Sequence, residues 1–141
     1  MPDRKRQLLW HGVLLFLLGL LIGFIEQKFA NPRMGLAAHL EGLMNGTFLI
    51  TLGAIWTEIK LSARLKATAY WGALYGTYGN WVITSFAAVF GTAAMTPIAA
   101  SSHRGLPWQE HVVTFGFASV GIAIVIAVTV ILCGLRRNAG T

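Results

Sequence analysis

The sequence contains four apolar segments, each about as long as a membrane-spanning helix. They cover residues 8–25, 36–56, 67–90 and 112–135. A helix needs about 20 apolar residues to cross the hydrocarbon core of a bilayer, and none of these segments shows the alternation of a barrel strand. Because only helices and closed barrels satisfy their backbone hydrogen bonds in lipid, the sequence predicts an all-α membrane protein. We expect a single four-transmembrane-helix bundle over residues 1–141.

The composition agrees with a lipid environment. Charged residues make up 11% of the chain, against about 25% in an average soluble domain. The net charge of +6 arises from lysines and arginines at the ends of the apolar segments, and these form no basic patch with interleaved aromatic residues. We therefore expect an integral, multi-pass protein of a bacterial inner membrane, with the lipid bilayer and no nucleic acid as a partner.

The flanking lysines and arginines predict the orientation of the bundle. Eight fall on the side of the two chain ends and the middle loop: Arg4, Lys5, Arg6, Lys60, Arg64, Lys66, Arg136 and Arg137. Three fall on the other side, namely Lys28, Arg33 and Arg104. Cytoplasmic loops carry the excess of positive charge, so both termini are predicted to be cytoplasmic. The first segment lacks the small-residue cleavage site of a signal peptide and is too long for one, so we expect it to be retained as a span.

Small residues in the segments predict close helix packing. The GxxxG spacing, which lets two helix backbones approach, occurs three times, at Gly19 and Gly23, Gly42 and Gly46, and Gly72 and Gly76. These pairs predict a tight bundle, either within one subunit or between subunits. A chain with four helices has little interior of its own, so we expect a homo-oligomer. Cys133 is expected to be a buried packing residue, and residues 95–108 an irregular cap over the outer face.

The second segment carries polar residues that such segments usually avoid: His39, Glu41, Asn45 and Thr51. An ionisable residue inside a span is by default a candidate for function. His39, Gly42 and Gly46 lie within about 60° on a helix that turns 100° per residue. A flat cofactor lying over the glycines would place its metal within reach of the imidazole, and haem iron commonly takes one axial histidine. The alternative is that His39 is an interfacial residue that bonds a loop.

Two asparagines are the next candidates. Asn45 is about 120° round the helix from His39, so the two side chains cannot enter one cavity within a single chain. They would share a ligand only if it lay between subunits; alternatively, Asn45 simply bonds a neighbouring helix. Asn80, in the third segment, stands at roughly 20 Å from the cytoplasmic side and Asn45 at roughly 18 Å. The matching depths predict that the two amides pair within one chain.

Aromatic residues and the remaining histidines are less specific signals. The third segment contains Tyr70, Trp71, Tyr75, Tyr78 and Trp81, which either form interface belt and core or line a pocket for an aromatic substrate. His11 would lie roughly 20 Å below His39, too far to ligate the same metal. His103 and His111 fall in or beside the outer loop and are expected to be solvated. The sequence contains none of the metal, nucleotide or nucleophile motifs of soluble enzymes.

The run His39-Leu-Glu-Gly-Leu-Met-Asn45-Gly46, preceded by Asn-Pro-Arg-Met-Gly-Leu at 31–36, resembles the hydroxylaminobenzene mutases, small four-span membrane proteins related to styrene oxide isomerase. The isomerase also has a histidine six residues before an Asn-Gly pair. Its first span contains a His-Gly like that at 11–12, and its third span an aromatic-x-Asn like that at 78–80. The resemblance covers three of the four segments, and the segment from His39 to Asn45 is the most specific part.

The resemblance implies a homotrimer with haem b between subunits, in which the histidine ligates the iron and the iron acts as a Lewis acid. His39 would then be the metal ligand, with Gly42 and Gly46 beside the cofactor. Asn45 and Asn80 would act on the substrate. The tyrosine that orients the epoxide in styrene oxide isomerase would fall near Thr84, and this sequence has no tyrosine there. Thr84 is therefore a third catalytic candidate, and the absence of the tyrosine favours the mutase branch over the epoxide isomerase.

Three functions remain open at this point. The first is an isomerase (mutase) that converts a small aromatic hydroxylamine into an aminophenol without net redox change. The second is isomerisation of an epoxide to an aldehyde. The third is a non-catalytic haem-binding membrane protein. A Soret band and conversion of substrate without an electron donor would separate them.

Overall fold

The computed structural model describes residues 3–136, and within this range the chain forms four long helices, one short helix and one 3₁₀ turn. Their bounds are α1 Arg4–Gly23, the 3₁₀ turn Glu26–Lys28, α2 Pro32–Ala54, α3 Ala63–Phe90, α4 Pro97–Ala100 and α5 Pro107–Arg136. Each of the four predicted segments is confirmed as a helix, and the all-α fold class is confirmed with them.

Each long helix begins four or five residues before the predicted start, and in α1, α2 and α3 a side-chain cap fixes the added turn. The side chain of Asp3 accepts a hydrogen bond from the N–H of Arg6 at 3.3 Å. Ser62 caps α3 in the same way. Such caps satisfy backbone donors that have no partner within the helix. Hydropathy detects only the apolar part of a helix and so misses these turns.

Asn31 fixes the start of α2 and also joins three parts of the chain. Its side-chain oxygen accepts from the N–H groups of Arg33 at 3.1 Å and Met34 at 3.3 Å. Its amide donates to the carbonyl of Ala99 in α4 at 2.8 Å, and its backbone N–H donates to Ala88 in α3 at 3.0 Å. The side chain is buried. This residue therefore sets where α2 enters the bundle.

Neighbouring long helices are antiparallel, and glycines bring them close together. A Cβ built on Gly42 would lie 2.3 Å from the Cα of Gly19, and one built on Gly46 would lie 2.7 Å from the carbonyl oxygen of Gly12. A Cβ on Gly72 would lie 3.0 Å from Ala127 in α5. The predicted tight packing at these glycines is therefore confirmed, and it occurs within one chain.

The bundle has two buried apolar clusters. The larger lies towards the two chain ends and the α2–α3 loop, and includes Leu8, Leu15, Leu49, Leu52, Trp56, Ile59, Tyr70, Leu74 and Ile131. The smaller lies at the other end, around Met34, Ala87, Ala88 and Val113. Cys133 is exposed on α5, so the prediction that it is a buried packing residue is wrong.

The segment 95–108 is more ordered than predicted. It contains α4, and Pro107 and Trp108 form the first turn of α5, since the fixed φ of proline suits that position. The carboxylate of Glu110 accepts hydrogen bonds from the N–H groups of Ala93 at 2.9 Å, Ala94 at 2.6 Å and Gly105 at 2.7 Å. One side chain thereby ties both ends of this segment to α5.

Two helices within residues 3–136, α1 and α5, are long and apolar enough to cross a membrane. The polar and small residues of α2 and α3 lower their hydropathy. Those same residues carry most of the helix contacts and hydrogen bonds described next.

Candidate functional site

The carboxylate of Glu41 is the centre of a polar cluster between α2 and α3. Its Oε2 atom accepts a hydrogen bond from the amide of Asn45 at 3.0 Å and another from the amide of Asn80. The second N–H of Asn45 points to the carbonyl of Thr77 at 3.4 Å. Glu41, Asn45 and Asn80 are each half-buried. The helix places Glu41 and Asn45 on one face because they are four residues apart.

Asn45 and Asn80 lie at the same depth in the bundle, as predicted, but their amides do not bond each other directly. The two amides share a level in the bundle, yet each donates to Glu41, which lies between them. Glu41 is unusual in a membrane span, but no role was predicted for it from the sequence. Its ionisable side chain and its i, i+4 spacing to Asn45 were the available signals.

A groove runs alongside this cluster. Its volume is about 300 Å³, and it is lined by Glu41, Met44, Asn45, Phe48, Ile124 and Val128. Apolar walls around a few polar groups are typical of small-molecule sites. The groove therefore combines a surface for an aromatic ring with a carboxylate and an amide at one place.

His39 lies on the other side of α2, against α1. Its Nδ1 atom is 2.8 Å from the carbonyl oxygen of Gly19. Because a carbonyl oxygen only accepts, Nδ1 is the donor in this contact, and in the neutral tautomer with that proton Nε2 carries the free electron pair. A Cβ on Gly23 would lie 2.7 Å from this ring, so the glycine provides the space that the imidazole occupies. The contact orients His39 as a second-sphere carbonyl orients a metal-binding histidine.

The space over Gly42 and Gly46 is filled by α1. Backbone atoms of Gly19 lie against Gly42, and those of Gly12 and Phe16 lie against Gly46. No flat cofactor fits between the helices there, so the prediction that Gly42 and Gly46 bind a cofactor is wrong for this chain. Sequence spacing identified a face open to close approach, but α1 is what approaches it.

His39 and the Glu41 cluster do not meet within one chain. His39 contacts α1, whereas Glu41 and Asn45 contact α3. This agrees with the angular offset predicted from the helix geometry. Thr84 is buried one turn beyond Asn80 on α3, and its catalytic role stays a prediction.

The aromatic residues of α3 do not line a single pocket. Tyr70 donates to the side chain of Gln7 at 3.0 Å, and Tyr75 shares a 2.7 Å hydrogen bond with Ser119. Trp71 packs edge-on against Tyr70 and is otherwise exposed. The interpretation as core and interface residues is therefore the better one for these side chains.

The other histidines lie away from His39. The hydroxyl of Tyr78 donates to the carbonyl of His11 at 3.2 Å and lies 3.1 Å from Nδ1 of the same residue. His103 bonds the carbonyl of Ala100, and both His103 and His111 are exposed. Across residues 3–136, no three His, Cys, Asp or Glu side chains are grouped to hold a bare metal ion.

Comparison with known proteins gives matches over nearly the whole chain. The family model described as styrene oxide isomerase matches residues 4–136. Hydroxylaminobenzene mutase HabB of Ectopseudomonas oleovorans is 43% identical over 132 residues, which is 93% of this chain and 80% of that protein. Hydroxylaminobenzene mutase HabA of the same organism is 42% identical over 127 residues, or 89% of this chain and 94% of that protein. No solved structure gives a significant match.

The resemblance inferred from the His39-to-Asn45 segment is thereby confirmed, and it extends to all four long helices. A family match of this extent, together with two relatives above 40% identity, leads to one conclusion: the chain belongs to the styrene oxide isomerase family.

Proposed function

We propose that this protein is a membrane isomerase that rearranges hydroxylaminobenzene-type arylhydroxylamines into aminophenols. The observation that carries the proposal is the cluster of Glu41, Asn45 and Asn80 beside an apolar groove of about 300 Å³. The relatives named hydroxylaminobenzene mutase, which match at 42–43% identity, support the choice of substrate.

The proposed reaction is a rearrangement with no net oxidation or reduction. The N–O bond of the substrate breaks, a C–O bond forms at a ring carbon, and the hydrogen of that carbon moves to nitrogen. Apolar side chains such as Met44 and Phe48 would hold the ring and exclude water. Asn45 would hold the hydroxylamine end, so that the departing oxygen stays close to the ring. Asn80 would keep the cluster in place through Glu41.

We further propose that haem b binds at His39. The donor chemistry fits: Nδ1 is held by the carbonyl of Gly19, which leaves Nε2 free as a neutral ligand. A metal carried by a macrocycle needs few protein ligands, which suits a chain whose residues 3–136 offer no cluster of three. When bound, the iron would supply a Lewis acid for the N–O oxygen.

His39 faces α1 and Asn45 faces α3, and these different directions support a site shared between subunits. One chain would contribute His39 and its neighbour the groove with Asn45. A homotrimer, as the family resemblance implies, closes such contacts in a ring. Exposed apolar residues on α2, including Leu40 and Met44, are available for this contact.

For the membrane, we propose four spans, α1, α2, α3 and α5, with both termini in the cytoplasm of a bacterium. The hydropathy of α1 and α5 supports this topology, as do eight basic residues on one side against three on the other. A periplasm-dependent reporter enzyme fused after Thr141 should remain inactive. Activity of that fusion would contradict the proposed topology.

The function is tested by assaying one detergent-purified preparation with phenylhydroxylamine and with styrene oxide, without an electron donor. We expect aminophenol from the first substrate and little or no conversion of the second. Efficient formation of phenylacetaldehyde without aminophenol would favour an epoxide isomerase instead. Inactivity on both, with a Soret band present, would favour a haem-binding protein without catalysis.

The haem assignment has its own test. His39→Ala should abolish stoichiometric haem binding, read from the Soret absorbance per protein. His11→Ala is the matched control, because it removes an imidazole that bonds Tyr78 and lies on another helix. Full haem content and an unchanged spectrum in the His39 variant would refute the ligand assignment.

A further inference from the structure

The hydrogen bonds of Glu41 determine which way the neighbouring amides point. A carboxylate oxygen accepts, so Asn45 and Asn80 must turn their NH₂ groups towards it. The second N–H of Asn45 is directed to the carbonyl of Thr77. Both donors of the Asn45 amide are therefore directed into the protein.

The polar atoms that remain available to a molecule in the groove are hydrogen-bond acceptors. Among residues 3–136, no donor bonds the Oδ1 atom of Asn45 or the Oε1 atom of Glu41. Both oxygens are also accessible from outside the protein, since neither is among its fully buried polar atoms that lack a partner. Both residues line the groove, and their four companions there are apolar. With Glu41 ionised, a molecule in the groove thus meets free oxygen acceptors and no free amide N–H of Asn45.

We propose that Glu41 determines the substrate specificity of this site by making its polar end an acceptor surface. The inference rests on the proposed function and refines it. An arylhydroxylamine carries N–H and O–H donors that pair with these oxygens. An aryl epoxide carries only an acceptor oxygen, which would face other acceptors and lose its hydrogen bonds to water without replacement. Glu41 thereby selects the first substrate class over the second.

The substitution Glu41→Gln tests this role with little change in shape. If the new amide oxygen accepts from Asn45 and Asn80, its NH₂ group faces the groove. If the new amide is reversed, the NH₂ groups of the asparagines must turn away from it, towards the groove. In either arrangement the groove gains a donor.

The probes are 1-phenylethanol and acetophenone, two unreactive one-ring compounds of nearly equal size. The first has an O–H donor and the second has only an acceptor. Binding of each to the purified, full-length holoprotein is measured by titration calorimetry, with Glu58→Gln, in the loop between α2 and α3, as the carboxyl-to-amide control. We expect the wild type and the control to bind the alcohol about 10-fold or more tightly than the ketone. The Glu41→Gln variant should lose or invert this preference, and its KM for phenylhydroxylamine should rise by a similar factor.

Equal binding of the two probes by the wild type would overturn the inference, and this measurement needs no variant to fold. A Glu41→Gln variant that keeps the wild-type preference would also overturn it. The proposed function fails separately: a wild type that prefers the alcohol but forms no aminophenol would retain an acceptor site without the mutase activity.

Discussion

Replacing Gly42 by alanine should separate α1 from α2 and release His39. A Cβ at this position would lie 2.3 Å from the Cα of Gly19 and 2.8 Å from its nitrogen. Carbon atoms in contact lie about 3.5–4.0 Å apart, so the helices must move by roughly 1.2 Å or more. The indole ring of Trp81 also lies close to this position, with its Nε1 atom 3.2 Å from the same Cβ. Because these neighbours are backbone or a packed ring, no side-chain rotation relieves the overlap.

The loss in the free energy of unfolding follows from this displacement of the helices. Overpacking costs about 1–3 kcal/mol. The bond from His39 to the carbonyl of Gly19, 2.8 Å long, would stretch to about 4 Å and be lost, at about 1 kcal/mol. The better helix propensity of alanine offsets up to about 1 kcal/mol. The net loss of stability is therefore about 2 kcal/mol, which lowers the melting temperature of a chain this size by about 5–10 °C.

The assay is thermal unfolding of the detergent-purified protein, followed by size-exclusion chromatography of the protein that remains folded. Gly121→Ala is the matched control, because a Cβ there meets no atom within 4 Å. It should leave the melting temperature unchanged or raise it slightly. The reasoning would be refuted if Gly42→Ala melted with the wild type, or if Gly121→Ala lost as much stability.

Three further substitutions test the hydrogen bonds that hold the bundle. Asn31→Ala removes the cap of α2 and leaves the carbonyl of Ala99 without its donor, so chemical denaturation should show a loss of about 2–4 kcal/mol. Glu110→Gln removes an acceptor of several backbone N–H groups; limited proteolysis should cut within residues 91–106 faster, while unchanged cleavage would contradict this role. Tyr78→Phe removes the hydroxyl that bonds His11 and should cost only about 1 kcal/mol, with haem content preserved; loss of haem would instead link this pair to the cofactor.

The sequence was sufficient to predict the four long helices. Segments of 18 to 24 mainly apolar residues, bounded by polar loops, leave the backbone few alternatives, and the structure has a helix at each such segment. The starts were predicted too late because caps such as Asp3 lie among charged residues. That error concerns local hydrogen bonds, and the cap residues were visible in the sequence.

Helix periodicity also predicted part of the site. The angular offset of His39 from Asn45 and the shared depth of Asn45 and Asn80 follow from 3.6 residues per turn and 1.5 Å per residue. The structure agrees on both points, with His39 against α1 and the two asparagines at one level. These relations hold because they need only helix geometry and a common membrane plane.

Only the tertiary structure decided what each face meets. Gly42 and Gly46 are suited equally to a flat cofactor and to another helix, and it is the position of α1 that fills the space beside them. Glu41 gains its role because Asn80 arrives from α3 at the same level. The rotation and axial position of one helix against another result from many weak contacts between residues far apart in the chain, and no local pattern in the sequence contains that sum.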